Sequence, residues 1–305
     1  MTYGSPTDLD DMPRYLAAVR GGREPAPELV NEFRRRYALI GGSPLIAITR
    51  AQAQALEQRL LSERVEARVE IGMRFSQPSV AAGLRRLADD ACGLVIGIVM
   101  SPQHSELLMG GYRRALVAAR AELGAAAPDV RLAPAWYRND QFLDAVALRV
   151  RDGLERLPAD ERGRAPVLLT AHSLPRRVAD QESDYLEQLR ETAEAVAGRA
   201  GLSRDRWHFC WQSAGHEPGE WMKPDFADLL PELRAAGHRS VLAAPIQFLA
   251  DHLEVLYDID IGAREQAQAA GMAFARIESL NTMPAFINAL ASIALAHEAQ
   301  SVVAT

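Results

Sequence analysis

The chain has 305 residues, 48% of them apolar, a formal net charge of −6 and two cysteines. Its length suits two lobes or one large α/β unit, and the acidic balance argues against general nucleic-acid binding, which calls for a basic surface. Cys92 and Cys210 each lie in an apolar run, too few for a disulfide framework or a cysteine-ligated cluster, and they read as buried thiols in a reducing cytoplasm.

The opening stretch MTYGSPTDLDD lacks the basic and apolar regions of a secretory signal. No apolar run approaches the ~20 residues that a membrane-spanning helix needs, so a protein not integral to the membrane is expected. From there the chain alternates between two patterns. Apolar runs bounded by turn residues predict strands at GLVIGIVM (93–100), APVLLTA (165–171), WHFCWQSA (207–214) and SVLAAPI (240–246), with further candidates at 65–75 and 130–137. Between them, ITRAQAQALEQRLLSE, SVAAGLRRLADDA, SELLMGGYRRALVAARAELG, FLDAVALRVRDGLERLP, YLEQLRETAEAVAGRAG and DFADLLPELRAAG carry apolar residues at helical spacing. Strand–helix alternation of this kind implies βαβ units and parallel sheets covered by helices. The segment ERLPADERGRAP (155–166), rich in charge and proline, is the expected junction between lobes spanning 1–155 and 156–305.

Ligands of open parallel sheets bind beyond the carboxyl ends of the strands. That rule directs attention to SPQHS, HSLP, QSAGHEPGEW and QFLADHLE. His172 ends a buried strand before a Ser-Leu-Pro turn; it is either satisfied by loop backbone or a ligand or base facing a cleft. In APIQFLADHLEVLYDID (244–260), Asp251, Glu254 and Asp258 stand three and four residues apart on one predicted helix face. Like charges at that spacing repel, a cost more readily tolerated where a cation or protons are handled. The pattern is not H-E-x-x-H, the glycines do not form G-x-G-x-x-G, and HSLPRRV is not a nucleophile elbow.

Taken in order, YGSP (3–6), GGSPLIAITRAQAQALEQ (41–58), IGMRF (71–75), SPQHSELLMGGY (101–112), WY (136–137), LLTAHSLPRRV (168–178), WQSAGHEPGEWMKPD (211–225), PIQFLADHLEVLYDID (245–260) and ESLNTMPAFINAL (278–290) resemble a ferrochelatase. These are enzymes that insert ferrous iron into a porphyrin in haem synthesis. The resemblance covers nearly the whole chain, and AHSLP together with DHLEVLYDID is its most specific part.

It implies two Rossmann-like lobes flanking a porphyrin cleft, the last helix packing back on the first lobe. His172 and Glu254 match the family's metal and proton-transfer residues, with Asp258 on a path feeding iron inward and Tyr3 near the metal on the opposite porphyrin face. Imidazole and carboxylate suit the chemistry, because Fe(II) must shed water and the porphyrin must lose two N–H protons. Arg20, Arg36 and Ser43 match positions facing propionates in coproporphyrin-using members, and guanidinium suits carboxylate clamping; the alternative for both arginines is a solvated surface role. Tyr112 falls in the cleft-wall motif.

Three departures accompany the match. Relatives carry a short apolar strand before the YG element, so the first sheet is expected to lack a strand here. Gly262 stands where some relatives keep a carboxylate. The [2Fe–2S] cluster of some relatives, which needs four cysteines, is not expected. Coproporphyrin III is the expected substrate, with Fe(II) as co-substrate and transient contact with haem-pathway enzymes. Protoporphyrin IX, a sirohydrochlorin-type cobalt or nickel chelatase and a non-catalytic tetrapyrrole-binding protein are the alternatives.

Overall fold

The computed structural model describes residues 1–215 and 219–299. The fold is α/β, and the chain divides into two compact units. The first comprises Met1–Trp136, Ala250–Leu253 and the segment from Asn281; the second comprises Tyr137–Leu249 and Glu254–Leu280.

In the first unit, α1 (Met12–Val19), α2 (Pro27–Leu39), α3 (Leu45–Ser62), α4 (Val80–Asp89) and α5 (Glu106–Leu123) accompany β1 (Leu94–Gly97) and β2 (Asp129–Leu132). The strands pair in parallel with Leu94 opposite Asp129 and Gly97 opposite Leu132. Serine side chains cap two of these helices, Ser79 accepting from Ala82 N–H and Ser105 from Leu108 N–H. The predicted strand at 65–75 forms only a single bridge on each side of Met73, to Thr2 and to Ser79.

Met1–Tyr3 ties two parts of this unit together. Met1 N donates to Ile98 O (2.7 Å) and its carbonyl accepts from Met100 N. Thr2 N donates to Gly72 O, while Arg74 N and Phe75 N donate to the carbonyls of Thr2 and Tyr3. A cavity of about 800 Å³ adjoins the edge of β1 that faces away from β2, with Ile71, Leu84 and Leu94 in its wall.

The second unit is built on a four-stranded parallel sheet in the order β4-β3-β5-β6, from β3 (Val167–His172), β4 (Trp207–Gln212), β5 (Ser240–Pro245) and β6 (Ala273–Arg276). Its helices are α6 (Asp140–Glu155), α7 (Arg176–Ala179), α8 (Ser183–Arg199), α9 (Phe226–Ala235) and α10 (Arg264–Ala269). β3 is central and buried from Val167 to Ala171, as expected of a strand covered on both faces. Leu168, Val241, Ala243 and Cys210 pack on Phe226 and Leu230 of α9 and Ala267 of α10. Ala171 and Trp211 pack with Tyr185 and Leu189 of α8. The sheet is thus doubly wound.

α6, predicted as the last helix of the first lobe, belongs to the second unit, where it lies against β5, β6 and α8. Gly153 of α6 allows this approach, since a Cβ there would come within 2.9 Å of Leu242. The charged 155–166 stretch is therefore a fixed connection between α6 and β3. Its Glu161 is 1% exposed and accepts hydrogen bonds from Arg239. The last helix, α11 (Pro284–Ala299), packs on α3 within the first unit, helped by Arg59 donating to Asn288 (2.6 Å). Cys210 is buried and its thiol is pushed up by burial, whereas Cys92 is only half-buried.

The stretch predicted as an α-helix after β5 begins as a π-helix, Glu254–Ala263, and becomes α10 only at Arg264. Such i→i+5 turns are rare and recur at functional sites. Val255, Ile259 and Ala263 face the core, and Asp260 is fixed by a two-pronged pair with Arg276 at 2.8 Å. Among the described residues, no helix is long and apolar enough to cross a membrane.

Candidate functional site

The carboxyl ends of β3, β4 and β5 gather the polar groups of the second unit. His172 is the last residue of β3, and its N–H donates to Gln247 Oε1 just beyond β5 (2.8 Å). Gln247 Nε2 in turn donates to the hydroxyl of Tyr185, a buried phenol whose pKa is pushed up by that burial and by nearby Glu182 and Glu254. Thr170, fully buried, donates to Gln212 Oε1, and Ser173 N donates to Gln212 O (2.7 Å). These bonds fix the backbone that presents the imidazole.

The ring's own contacts define its chemistry. His172 Nδ1 lies 2.5 Å from the carbonyl of Ser173. A carbonyl can only accept, so Nδ1 carries a hydrogen, and in the neutral form of the ring Nε2 presents a lone pair. Nε2 faces Glu254 Oε2 at 3.6 Å, beyond hydrogen-bond range. That oxygen is buried and without a hydrogen-bond partner. Two electron-pair donors so placed repel unless a proton or a metal ion lies between them. The two side chains are 32% and 33% exposed, so the pair is partly accessible even though the facing carboxyl oxygen is buried.

Asp258 is half-buried on the same π-helix. Among the described residues, no group of three or more His, Cys, Asp or Glu converges on one point. A two-ligand site of this kind suits an ion that must be passed on more than one held for structure, which takes four ligands.

The other predicted residues lie in the first unit. Tyr3 is 38% exposed and meets the Phe75 ring edge-on at 4.5 Å between centroids. Tyr112 is buried, and burial pushes its phenol up. Between them runs a residue that motif matching did not single out, Arg74 of IGMRF, its guanidinium 4.7 Å from the Phe75 ring and 5.8 Å from the Tyr112 ring. Arg20 is exposed at the end of α1. Arg36 bonds Glu32 at 2.8 Å, and Arg35 and Arg36 together hold that carboxyl at about 2. Ser43 Oγ accepts from Leu45 N (3.4 Å) at the start of α3. The structure therefore brings His172 to Glu254 in one unit and Tyr3 and Tyr112 around Arg74 and Phe75 in the other.

His104, at the strand-end segment SPQHS, is held at about 4 by burial, with Arg113 adding to the effect. The unfolded chain would protonate this imidazole near 6.5. The neutral, buried form therefore contributes stability above pH 6.5 that is lost as pH falls toward about 4. The midpoint of urea unfolding should drop between pH 7.5 and 4.5, and His104→Gln should make that drop shallower; an unchanged pH slope in the variant would contradict this assignment.

Comparison with known proteins bears on the fold first. The fold is similar to that of solved chelatases. The structure of SirB from Bacillus subtilis with Fe3+ superimposes with a TM-score of 0.56 at 11% identity, covering 80% of this chain and 88% of that one. The sirohydrochlorin chelatase SirB from Bacillus subtilis subspecies spizizenii, in complex with cobalt, gives 0.53 at 11% identity, covering 79% and 85%. At such identity the likeness concerns the fold alone.

Sequence comparison then specifies the family. The ferrochelatase family profile matches residues 1–298. A ferrochelatase of Deinococcus radiodurans is 39% identical over 96% of this chain and 93% of its own length. Coproporphyrin III ferrochelatases of Geobacillus kaustophilus and Bacillus subtilis are 38% and 33% identical, each over 97% of this chain and over 93% and 95% of their own. The chain belongs to the ferrochelatase family, enzymes that insert a metal into a porphyrin.

Proposed function

We propose that the protein inserts Fe(II) into coproporphyrin III to form coprohaem, acting in the cytoplasm on a porphyrin handed on within haem synthesis. The observation that carries the reading is the His172 Nε2–Glu254 Oε2 pair, an imidazole nitrogen and a carboxyl oxygen 3.6 Å apart, the oxygen buried without a hydrogen bond. In the reaction, Fe(II) exchanges water for the porphyrin nitrogens and two protons leave. His172 Nε2 accepts one of them, the resulting imidazolium being stabilised by Glu254, and the other leaves to water. Glu254 also offers the carboxylate on which the incoming ion lodges, and Asp258 stands on its approach.

Tyr3 serves the opposite porphyrin face and Tyr112 the wall. Arg20, Arg36 and Ser43 serve the propionates, since guanidinium and hydroxyl donors suit carboxylate. The substrate choice is supported by relatives named coproporphyrin III ferrochelatase at 33–38% identity. Competition between porphyrins tests it. With Fe(II) under anaerobic conditions, kcat/KM for coproporphyrin III should exceed that for protoporphyrin IX at least about tenfold, the worth of one or two charge-assisted contacts. A preference for protoporphyrin IX would reassign the substrate. Binding without insertion of either would favour a tetrapyrrole carrier, and metalation of sirohydrochlorin alone would place the chain with the other chelatases.

A further inference from the structure

We propose that Arg74 binds a carboxylate of the tetrapyrrole, an inference that rests on the porphyrin reading above and adds a residue to it. The neighbours of its guanidinium are aromatic: the Phe75 ring at 4.7 Å and the Tyr112 ring at 5.8 Å. Among the described residues no carboxylate pairs with it; Arg50, Arg64 and Arg120 of the same unit also hold none but are exposed, whereas Arg74 is half-buried against the two rings. Ring faces attract a cation more weakly than a carboxylate does and leave its N–H donors unused.

The fold makes specific room for this cation. Arg74 lies beside Gly111, in the middle of α5, and a Cβ on that glycine would sit 2.0 Å from Arg74 Cζ and 2.2 Å from Nη2. A glycine inside a helix weakens it, and at this one the guanidinium occupies the space that a Cβ would fill. The backbone is equally fixed, with Arg74 N bonded to Thr2 O and Phe75 N to Tyr3 O. Arg74 is thus held on a rigid frame next to Tyr3 and Tyr112, half-buried, with forked donors and no anion of its own. A planar fork of this kind matches a carboxylate in two-pronged fashion, and the propionates are the carboxylates that a porphyrin substrate supplies.

The test uses metal-free coproporphyrin III and equilibrium binding, read from porphyrin fluorescence, so that no turnover is needed. Arg74→Met should raise Kd about tenfold, and Arg74→Lys, which keeps the charge without the fork, should raise it less. The salt dependence of Kd should be flatter in Arg74→Met than in the wild type, because one charge pair has been removed. Gly111→Ala, which leaves the arginine in place but obstructs its seat, should weaken binding in the same direction. Thermal melting of each variant shows that it is folded. Equal Kd and equal salt slope in wild type and Arg74→Met would overturn the assignment while leaving the porphyrin reading intact. A wild-type chain that binds no porphyrin would overturn both.

Discussion

Replacing His172 by alanine should lower kcat for iron insertion by about 10²–10⁴, the usual worth of a positioned proton-transfer group. The loss should appear without unfolding, because the surrounding bonds do not depend on the imidazole. The His172 N–H to Gln247, the Ser173 N–H to Gln212 and the parallel ladder of β3 with β4 and β5 all run through the main chain. Glu254→Gln should give a loss of similar size, since it keeps the shape of the side chain and removes the charge facing Nε2 at 3.6 Å. If the two residues act as one unit, the double variant should be little worse than either single one. Anaerobic initial rates and circular dichroism on the three variants check this, and near-normal turnover in both single variants would contradict it.

The largest effect on stability is expected at Glu161. This carboxylate is 1% exposed, bonded to Arg239 Nε at 3.1 Å and Nη2 at 2.9 Å, and 3.5 Å from Arg164. Its main chain also closes the turn into β3, accepting from Ala165 N–H at 2.7 Å. Removing a buried partner costs more than removing a surface one, although Arg239 and Arg164 are half in solvent and can rehydrate. Glu161→Ala should therefore cost about 2–3 kcal/mol, or a fall in melting temperature of roughly 5–10 °C. Glu155→Ala, which breaks the exposed pair with Arg162, should cost under about 0.5 kcal/mol. Similar melting temperatures for the two variants would show that the 155–166 segment is not anchored in this way.

How much of this was legible depended on where the signal resided. The strands of the second sheet could be read because β3, β4 and β5 are covered on both faces, which requires unbroken apolar runs. β6 was missed: Ala273–Arg276 is a four-residue edge strand, exposed or half-buried throughout, with no run to betray it. The segment at 65–75 failed in the opposite way, being strand-like in composition yet forming one-residue bridges only at Met73. Glu161 lay in a stretch whose charge and proline content suggested a linker, and composition could not show that its carboxylate is buried.

The candidate site was legible in part. Resemblance supplied His172 and Glu254, 82 positions apart in the numbering, but spacing alone gave no reason to pair them. The π-helix was hidden because residues four apart stay on similar sides in either kind of turn, so Glu254 and Asp258 looked α-helical. Arg74 could not be found by motif at all. What distinguishes it is that, without an acidic partner, it is half-buried between aromatic rings and beside a glycine, and these are facts of packing.

Iron insertion is tested most directly by one measurement. The wild-type chain is mixed anaerobically with Fe(II) and coproporphyrin III, and the absorption spectrum is followed in time. Conversion of the free-base porphyrin bands to those of the iron complex, at a rate proportional to protein concentration, is the predicted result. Free-base bands that persist at the no-protein rate, in a sample whose porphyrin fluorescence shows it to be bound, would contradict the account.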